Sequence, residues 1–305
     1  MSNSLKERRK VLQSFVILVV LGVIWGTGYS IARFAMTNGV PPLGYSYWQS
    51  IGPALILSMC VMARKDRLFP SVSRARFYLI SGLTAIAIPN TCMYFAAAHL
   101  PAGILATVVN TVPIFAYPLA LIFNLEKFNW ERMLGILIAI IALLLIVAHK
   151  TSLPSPDMIP WVLATLITPL SFALSSIYIA RYRPANCDSL TLSAGMLTAS
   201  AIMLLPLVLY SGSFYHLQTP LTTPDFIILL EIILSTIGYI LFFQLLKIAG
   251  PVYYSLVDTI VVLTGVTWGY LIFNEHLNAW TGMAVILIII SLMLVTRNQR
   301  KAANV

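Results

Sequence analysis

"LIFNLEKFNW" at residues 121–130 recurs as "LIFNEHLNAW" at 271–280, one phrase written twice at an offset of 150. The register holds on both sides of it. Pro101 meets Pro251, Trp130 meets Trp280, and "WERMLGILIAI" runs on against "WTGMAVILIII". Further back, Ile31-Ala32-Arg33 meets Ile179-Ala180-Arg181 at an offset of 148. Apolar stretches share Leu, Ile and Phe by chance. Pro, Asn, Arg and Trp held in near-constant register indicate an internal duplication.

The surroundings of the repeat set the class. Of 305 residues, 59% are hydrophobic and 10% charged, whereas a soluble domain has about a quarter charged residues. Too few polar groups are present to cover a water-facing surface. The apolar residues fall in runs near the ~20 residues that a helix needs to cross ~30 Å of hydrocarbon. Ten spans are predicted, at 12–36, 43–63, 77–98, 101–123, 130–148, 158–180, 189–210, 224–246, 251–273 and 279–296. The first follows Lys6, Arg8, Arg9 and Lys10, but it is too long for a signal-peptide core and lacks a small-residue cleavage site, so it reads as a span. The fold class expected is an all-α membrane protein with ten transmembrane helices and no soluble domain.

The net charge of +9 belongs to topology and not to nucleic acid. With both termini cytoplasmic, 17 of the 19 basic residues fall on the cytoplasmic side, as the positive-inside rule asks. They are Lys6, Arg8, Arg9 and Lys10 in the tail, then Arg64, Lys65, Arg67, Arg74 and Arg76. Lys127, Arg132, Arg181, Arg183 and Lys247 follow, and Arg297, Arg300 and Lys301 close the set. Only Arg33 and Lys150 lie toward the other side. Cys60, Cys92 and Cys187 sit in or beside apolar runs, an odd set that suggests packing residues and no disulfide framework.

The duplication then has a consequence. Residues 1–150 form a first five-helix repeat and 151–305 a second. An odd number of spans makes the second copy enter the membrane from the opposite face. Inverted repeats related by an axis in the membrane plane are a recurrent construction of secondary transporters, with the substrate site near the midplane between the halves.

The same stretches carry a family resemblance. "VIWGTGYSIARF" at 23–34, "AAAHLPAGILATVVNTVPIFAYPLALIFNLEKFNW" at 96–130 and "LLKIAGPVYYSLVDTIVVLTGVTWGYLIFNEHLNAW" at 245–280 resemble the drug/metabolite transporter superfamily, in its ten-span EamA-type branch. The resemblance covers nearly the whole chain and is specific for the superfamily. It is not specific for substrate, since members move amino acids, choline-like amines, nucleotides, sugar phosphates or drugs. YddG-type amino acid exporters share the "VN…P…FN…NW" cadence, and outward movement of substrate is what that resemblance implies.

Enzyme signatures are scarce. His99, His149, His216 and His276 all fall at span ends or in loops, without an HExxH pair or a Gly-rich phosphate loop. No metal, cofactor or catalytic residue is expected. No filter-like stretch argues for a channel. Two acids interrupt apolar runs instead: Glu231 in "PDFIILLEIILSTIGYILFF" and Asp258 in "PVYYSLVDTIVVLTGV". At ~1.5 Å per residue each lies roughly 10 Å inside its span end. An acid at that depth costs about 2.5–3.5 kcal/mol even on insertion scales, and normally faces a wet cavity or a partner. Their repeat positions are Val108 for Asp258 and a position near Ser81 for Glu231, so both acids depart from the shared scaffold. Either they bind a cation or exchange a proton, or they pair with Lys247 or Arg33 as structural glue.

A second set is aromatic and amide: Trp25, Tyr29, Asn90, Tyr94, Asn110, Tyr239 and Gln244, all within spans. Buried amides and phenols need partners, and aromatic faces hold an ammonium by cation–π attraction; core packing is the plainer role. Tyr45, Tyr47, Trp48, Trp130, Trp161, Tyr210 and Trp280, near span ends, read as interfacial belts. Gly26-Thr27-Gly28, Pro89-Asn90, Pro113, Pro118 and Pro169 are expected to weaken the first, third, fourth and sixth spans, or to permit close packing. Arg33 and Arg181 read as snorkelling side chains, and the Glu126/Lys127 and Glu275/His276 groups as solvated loops.

The reading that results is a secondary transporter working by alternating access, with a small-molecule substrate, the lipid bilayer as its surroundings and no nucleic acid. An amino acid or amine is favoured, moved out across a bacterial inner membrane, with coupling to protons or exchange. The alternatives are uptake of a cationic nutrient such as choline and, from another class, a membrane-embedded lipid enzyme or scramblase.

Overall fold

The computed structural model describes the backbone of residues 3–64, 71–148, 153–184, 187–254, 256–276 and 278–297, and side chains within these ranges except at 3–10, 148, 243, 246, 247, 250–254, 296 and 297. The side chains of Lys6, Arg8, Arg9, Lys10, Lys65, Arg67, His149, Lys150, Lys247, Arg297, Arg300 and Lys301 therefore lie outside the described residues. All regular structure among those described is helical. Ten spans follow one another: α1 (Asn3–Thr37), α2 (Pro42–Ala63), α3, α4, α5 (Trp130–Ala148), α6, α7 (Ser189–Tyr210), α8 (Thr223–Tyr254), α9 (Val257–Phe273) and α10 (Ala279–Arg297). Three are interrupted. α3 consists of Val72–Gly82, a π-helical turn Leu83–Ala87 and Ile88–Ala97. α4 is split into α4a (Ala102–Val109) and α4b (Val112–Ile122), and α6 into Ile159–Thr165 and Ile167–Tyr182 after a 3-10 turn.

Seven spans are long and apolar enough to cross a membrane, and α9 and α10 are shorter apolar helices. The tenth, α2, has 22 residues but is less apolar, because it buries Tyr45, Ser46, Gln49 and Ser50 on one side. The chain is an all-α integral membrane protein.

Local chemistry sets the helix ends. The side chain of Ser71 accepts from the amide of Arg74 at the start of α3, and Asp188 Oδ1 accepts from Thr191 N at 2.9 Å at the start of α7, each satisfying an amide that the first turn leaves open. The repeated phrase explains itself here. Asn124 and Asn274 both adopt left-handed backbone, with φ of 54° and 51°. Asn is among the few residues besides Gly that reach this region. "LIFN" is thus a helix-terminating device used twice.

Glycines decide how the central helices approach. α1 packs along α9 and α8, and α4a packs on the other side of α9. A Cβ at Gly22 would lie 2.6 Å from Ile260 Cβ, and one at Gly26 would lie 2.5 Å from Thr264 Cβ and 2.7 Å from Val261 O. On the other side of α9, a Cβ at Gly265 would lie 2.5 Å from Ala106 Cβ. The pairs Gly22/Gly26 and Gly265/Gly269 are four residues apart, the small-xxx-small spacing that lets membrane helices meet closely.

The breaks in α3, α4 and α6 fall where proline predicts them. Pro89 has no N–H to give the preceding turn, and the carbonyls around the π-turn find partners on α6: Ser171 Oγ donates to Thr84 O at 2.7 Å and Thr168 Oγ to Pro89 O at 2.9 Å. Two expectations are corrected. Gly26-Thr27-Gly28 does not weaken the first span: α1 is continuous, and its glycines serve packing. The eighth span does not end at 246 before Pro251, but runs through it to Tyr254. Pro251 lies within the final turn of α8, where the loss of one amide donor removes little of the helix's bonding.

If the α1–α9 seam is set by glycine, Gly26→Ala must displace Thr264 or the α9 backbone, costing about 1–3 kcal/mol as overpacking does. Gly282→Ala, at a site with nothing within 4 Å, should be neutral or stabilising by up to about 1 kcal/mol from helix propensity. Thermal denaturation of the two variants in detergent checks the contrast.

Candidate functional site

Glu231 sits about 12 Å into α8 by helical rise and is 7% exposed. A chain of side-chain hydrogen bonds reaches it from two other helices. Asn90 Nδ2, on α3, donates to Gln49 Oε1 on α2 at 3.0 Å; Gln49 Nε2 donates to Ser235 Oγ at 3.3 Å; Ser235 Oγ donates to Glu231 Oε1 at 2.9 Å. The other carboxyl oxygen, Oε2, is buried without a hydrogen-bond partner among the described residues, and so is the hydroxyl of Tyr45. The carboxyl group points toward α1 at Gly28, where a Cβ would lie 3.6 Å from Oε1 and 3.9 Å from Oε2. The absence of a side chain at 28 leaves that side of the acid open.

The phenols of Tyr45, Tyr94 and Tyr239 lie within electrostatic reach of the Glu231 carboxyl. Tyr45 and Tyr94 meet edge to face with ring centroids 4.7 Å apart, a geometry that fixes both rings. Tyr239 follows Ser235 by one turn on α8, so Glu231, Ser235 and Tyr239 form one stripe of that helix.

A second group lies between α1, α4 and α9. Asn110 caps α4a where the span breaks, and its Nδ2 donates to Ala106 O at 2.7 Å and to the Tyr29 hydroxyl at 3.4 Å. Tyr29 is within electrostatic reach of Asp258 on the first turn of α9, and of Tyr94 in the first group. Asp258 is half-buried and has no ion-pair partner among the described residues. Trp25 packs between α1 and α8, 5.8 Å from the ring of Phe242, with its indole Nε1 directly over Gly238.

The predicted residues therefore divide. Glu231, Asn90, Tyr94 and Tyr239 gather in one group, Asp258, Tyr29 and Asn110 in a neighbouring one, and Trp25 borders the first at α8. Gln244 is exposed and stands apart from both. Three residues were missed. Tyr45 was read as interfacial because it lies near a span end, yet it is 1% exposed. Gln49 and Ser235 complete the hydrogen-bond chain. The signal was on the page: Tyr45, Gln49 and Gly52 recur at helical spacing on one face of α2. Two further expectations are corrected. Arg33 does not snorkel, and Glu275 is not solvated. The two form an ion pair with side-chain exposures of 23% and 8%, because Glu275 finds backbone amides and a guanidinium together at the head of α4a. Arg33 is thereby unavailable to either membrane acid.

Comparison with known proteins agrees with this architecture. The sequence profile of the EamA-like transporter family matches residues 13–148 and 159–297. The chain is 28% identical to the uncharacterized inner membrane transporter YedA of Escherichia coli K12 over 201 residues, which span 64% of this chain and 60% of that protein's length. It is 24% identical to the protein PecM of Dickeya dadantii over 277 residues, spanning 89% and 88% of the two chains. A solved crystal structure superposes at a TM-score of 0.62 over 95% of this chain and 98% of its own, at 15% identity, a likeness of fold. With its profile matched over both halves of a ten-helix membrane fold, the chain belongs to the EamA-like transporter family.

Proposed function

We propose that this transporter moves a small molecule bearing an ammonium group, an amino acid or a simple amine, out across a bacterial inner membrane by alternating access. The observation that carries the reading is the buried Glu231 carboxyl, within electrostatic reach of three tyrosines, with one oxygen and the Tyr45 hydroxyl left without hydrogen-bond partners among the described residues. A buried carboxylate needs a counter-charge or a proton. A substrate ammonium supplies the first, with tyrosine faces adding cation–π attraction. A proton supplies the second when the site is empty of substrate. One group that accepts either in turn is sufficient to exchange protons for substrate. Asp258, on the first turn of α9 and within electrostatic reach of Tyr29, offers a second acidic station.

The two halves, residues 1–150 and 151–305, act in this reading as inverted repeats. The twin left-handed asparagines and the two profile matches support that division. Charge bias supports cytoplasmic termini, and in that orientation Arg33, Glu275 and the head of α4a lie at the periplasmic face. The exporter-like cadence at 96–130 supports the export direction, and the YedA relative supports the inner membrane.

A thermal-shift screen of the purified protein tests the substrate class. Compounds with a primary or quaternary ammonium should raise the melting temperature, whereas sugar phosphates and nucleotides should not. Stabilisation by the anionic compounds alone would overturn the reading. Removing the charge in Glu231→Gln should weaken amine binding roughly tenfold to a hundredfold, the range of a charge-assisted hydrogen bond. Tyr94→Phe keeps the ring and should cost little, and Tyr94→Ala should cost roughly threefold to thirtyfold by loss of the aromatic face. In proteoliposomes, an imposed pH gradient should accelerate transport of labelled amine in the native protein, and Glu231→Gln should abolish that response. Equal responses in both would exclude the acid from coupling.

A further inference from the structure

The α7–α8 connection, residues 211–222, has no helix or strand of its own, yet it lies against both helices that carry the Glu231 site. It leaves α7 through Gly212, whose φ of 63° is left-handed, and Ser213 N closes back on Val208 O at 3.0 Å. The segment then crosses the first turn of α2. A Cβ at Gly44 would lie 2.4 Å from Ser213 O and 3.3 Å from Tyr215 Cβ, so the bare glycine is what lets the chain rest on the helix. One turn further along α2, Trp48 Nε1 donates to Tyr215 O at 2.9 Å. The Phe214 ring packs on Tyr47 and Trp48, with centroids 5.7 and 6.2 Å apart.

The other anchor is Asp225, in the first turn of α8 and fully buried. Its donors among the described residues all come from the same strap. Thr222 N at 2.6 Å and Thr222 Oγ1 at 2.5 Å reach Oδ2, Gln218 N reaches Oδ1 at 3.4 Å, and the Tyr215 hydroxyl donates to the same carboxylate. Tyr215 therefore spans two helices, its carbonyl held by Trp48 of α2 and its hydroxyl by Asp225 of α8.

This brace lies over the site. Asp225, Ile228 and Ile232 follow one stripe of α8, and Ile232 meets α2 at Gly52, where a Cβ would lie 2.6 Å from its side chain. Asp225 thus stands on the side of α8 that faces α2. Between the same two helices, deeper in, Gln49 Nε2 donates to Ser235 Oγ and Ser235 to Glu231. Glu231 is six residues beyond Asp225, about 9 Å by helical rise. The two acids differ in what release of the strap would do to them. Asp225 stands at a span end, where water can replace each strap donor, so letting go strands no buried charge. Glu231 and Tyr45 are 7% and 1% exposed with the strap in place.

We propose that residues 211–222 are a lid on the Glu231 site: Tyr215 braces α2 to α8 across its mouth, and the site opens to that face when Trp48 and Asp225 release Tyr215. Closure of a short segment over a buried site is a common way to gate access. The inference rests on Glu231 being the transport site and supplies that site's gate. With cytoplasmic termini, the gated face is the periplasmic one.

Alkylation of a reporter thiol beside the acid tests the lid without any substrate. Gly28→Cys sets the thiol next to Glu231, and Cys60→Ser with Cys92→Ser leaves the buried Cys187, just before the opposite end of α7, as an internal control. In purified protein treated with iodoacetamide, Tyr215→Phe and Asp225→Ala should each speed alkylation at 28 by roughly fivefold or more, the lower end of typical couplings between sites. Alkylation of Cys187 should not change. Adding Tyr215→Phe to Asp225→Ala should contribute little, since the hydroxyl has already lost its acceptor. Trp48→Phe removes the other hold and should act in the same direction, which keeps the test open should Asp225→Ala fail to fold. An unchanged rate at 28 in both Tyr215→Phe and Trp48→Phe, or an equal acceleration at Cys187, would overturn the lid. Failure of amines to bind would count against the ammonium reading and leave the alkylation result standing.

Discussion

A carboxyl group carried into the hydrocarbon layer must be protonated, paired or wetted, and each solution constrains its neighbours. Glu231 imposes that condition on four helices at once. α8 supplies the acid and Ser235 one turn on; α2 and α3 supply Gln49 and Asn90, whose amides complete a directed hydrogen-bond chain ending on Oε1. α1 contributes an omission, since Gly28 has no side chain to cover the acid. The chain ends on a carboxyl whose Oε2 has no hydrogen-bond partner among the described residues, and in the proposed reading a ligand or proton completes it. The tyrosines bear on the chemistry of that end, with aromatic faces and, among the described residues, an unpartnered Tyr45 hydroxyl and no ion-pair partner for the acid.

The same layer dictates how the helices hold together. Lipid is as apolar as leucine, so burying apolar side chains gives helices little reason to associate in it. Close contact and polar bonds must do that instead. The glycine pairs on α1 and α9 bring backbones within reach, and Ser171 and Thr168 satisfy carbonyls around the π-turn of α3. At the end of α9 the Glu275 carboxylate joins Arg33 of α1 and the head of α4a.

Much of this was legible in the residues, for physical reasons. Span positions followed from length and apolarity, and the interruptions of α3, α4 and α6 followed from proline, which acts locally wherever it stands. The acids were legible because charge inside an apolar run is rare. What failed was judgement by distance from a span end. Tyr45 and Glu275 both looked peripheral, and both are buried, because the neighbours that cover them come from far along the chain: Tyr94 for one, Arg33 and the head of α4a for the other. Gln244 failed in the opposite way. Nothing in one sequence says which side of a helix faces its neighbours when both sides are apolar. The glycine spacing on α1 was visible, yet only the positions of Ile260 and Thr264 reveal that it serves packing and not weakness.

The central claim is that the acid on α8 receives the positive end of the substrate. An experimental structure of the native protein with a bound amine or amino acid tests it most directly. The account requires ligand density against α8 with its nitrogen in hydrogen-bonding range of Glu231 Oε2 and flanked by the rings of Tyr45 and Tyr94. A ligand seated elsewhere, with Glu231 still buried and bonded only to Ser235, would contradict it.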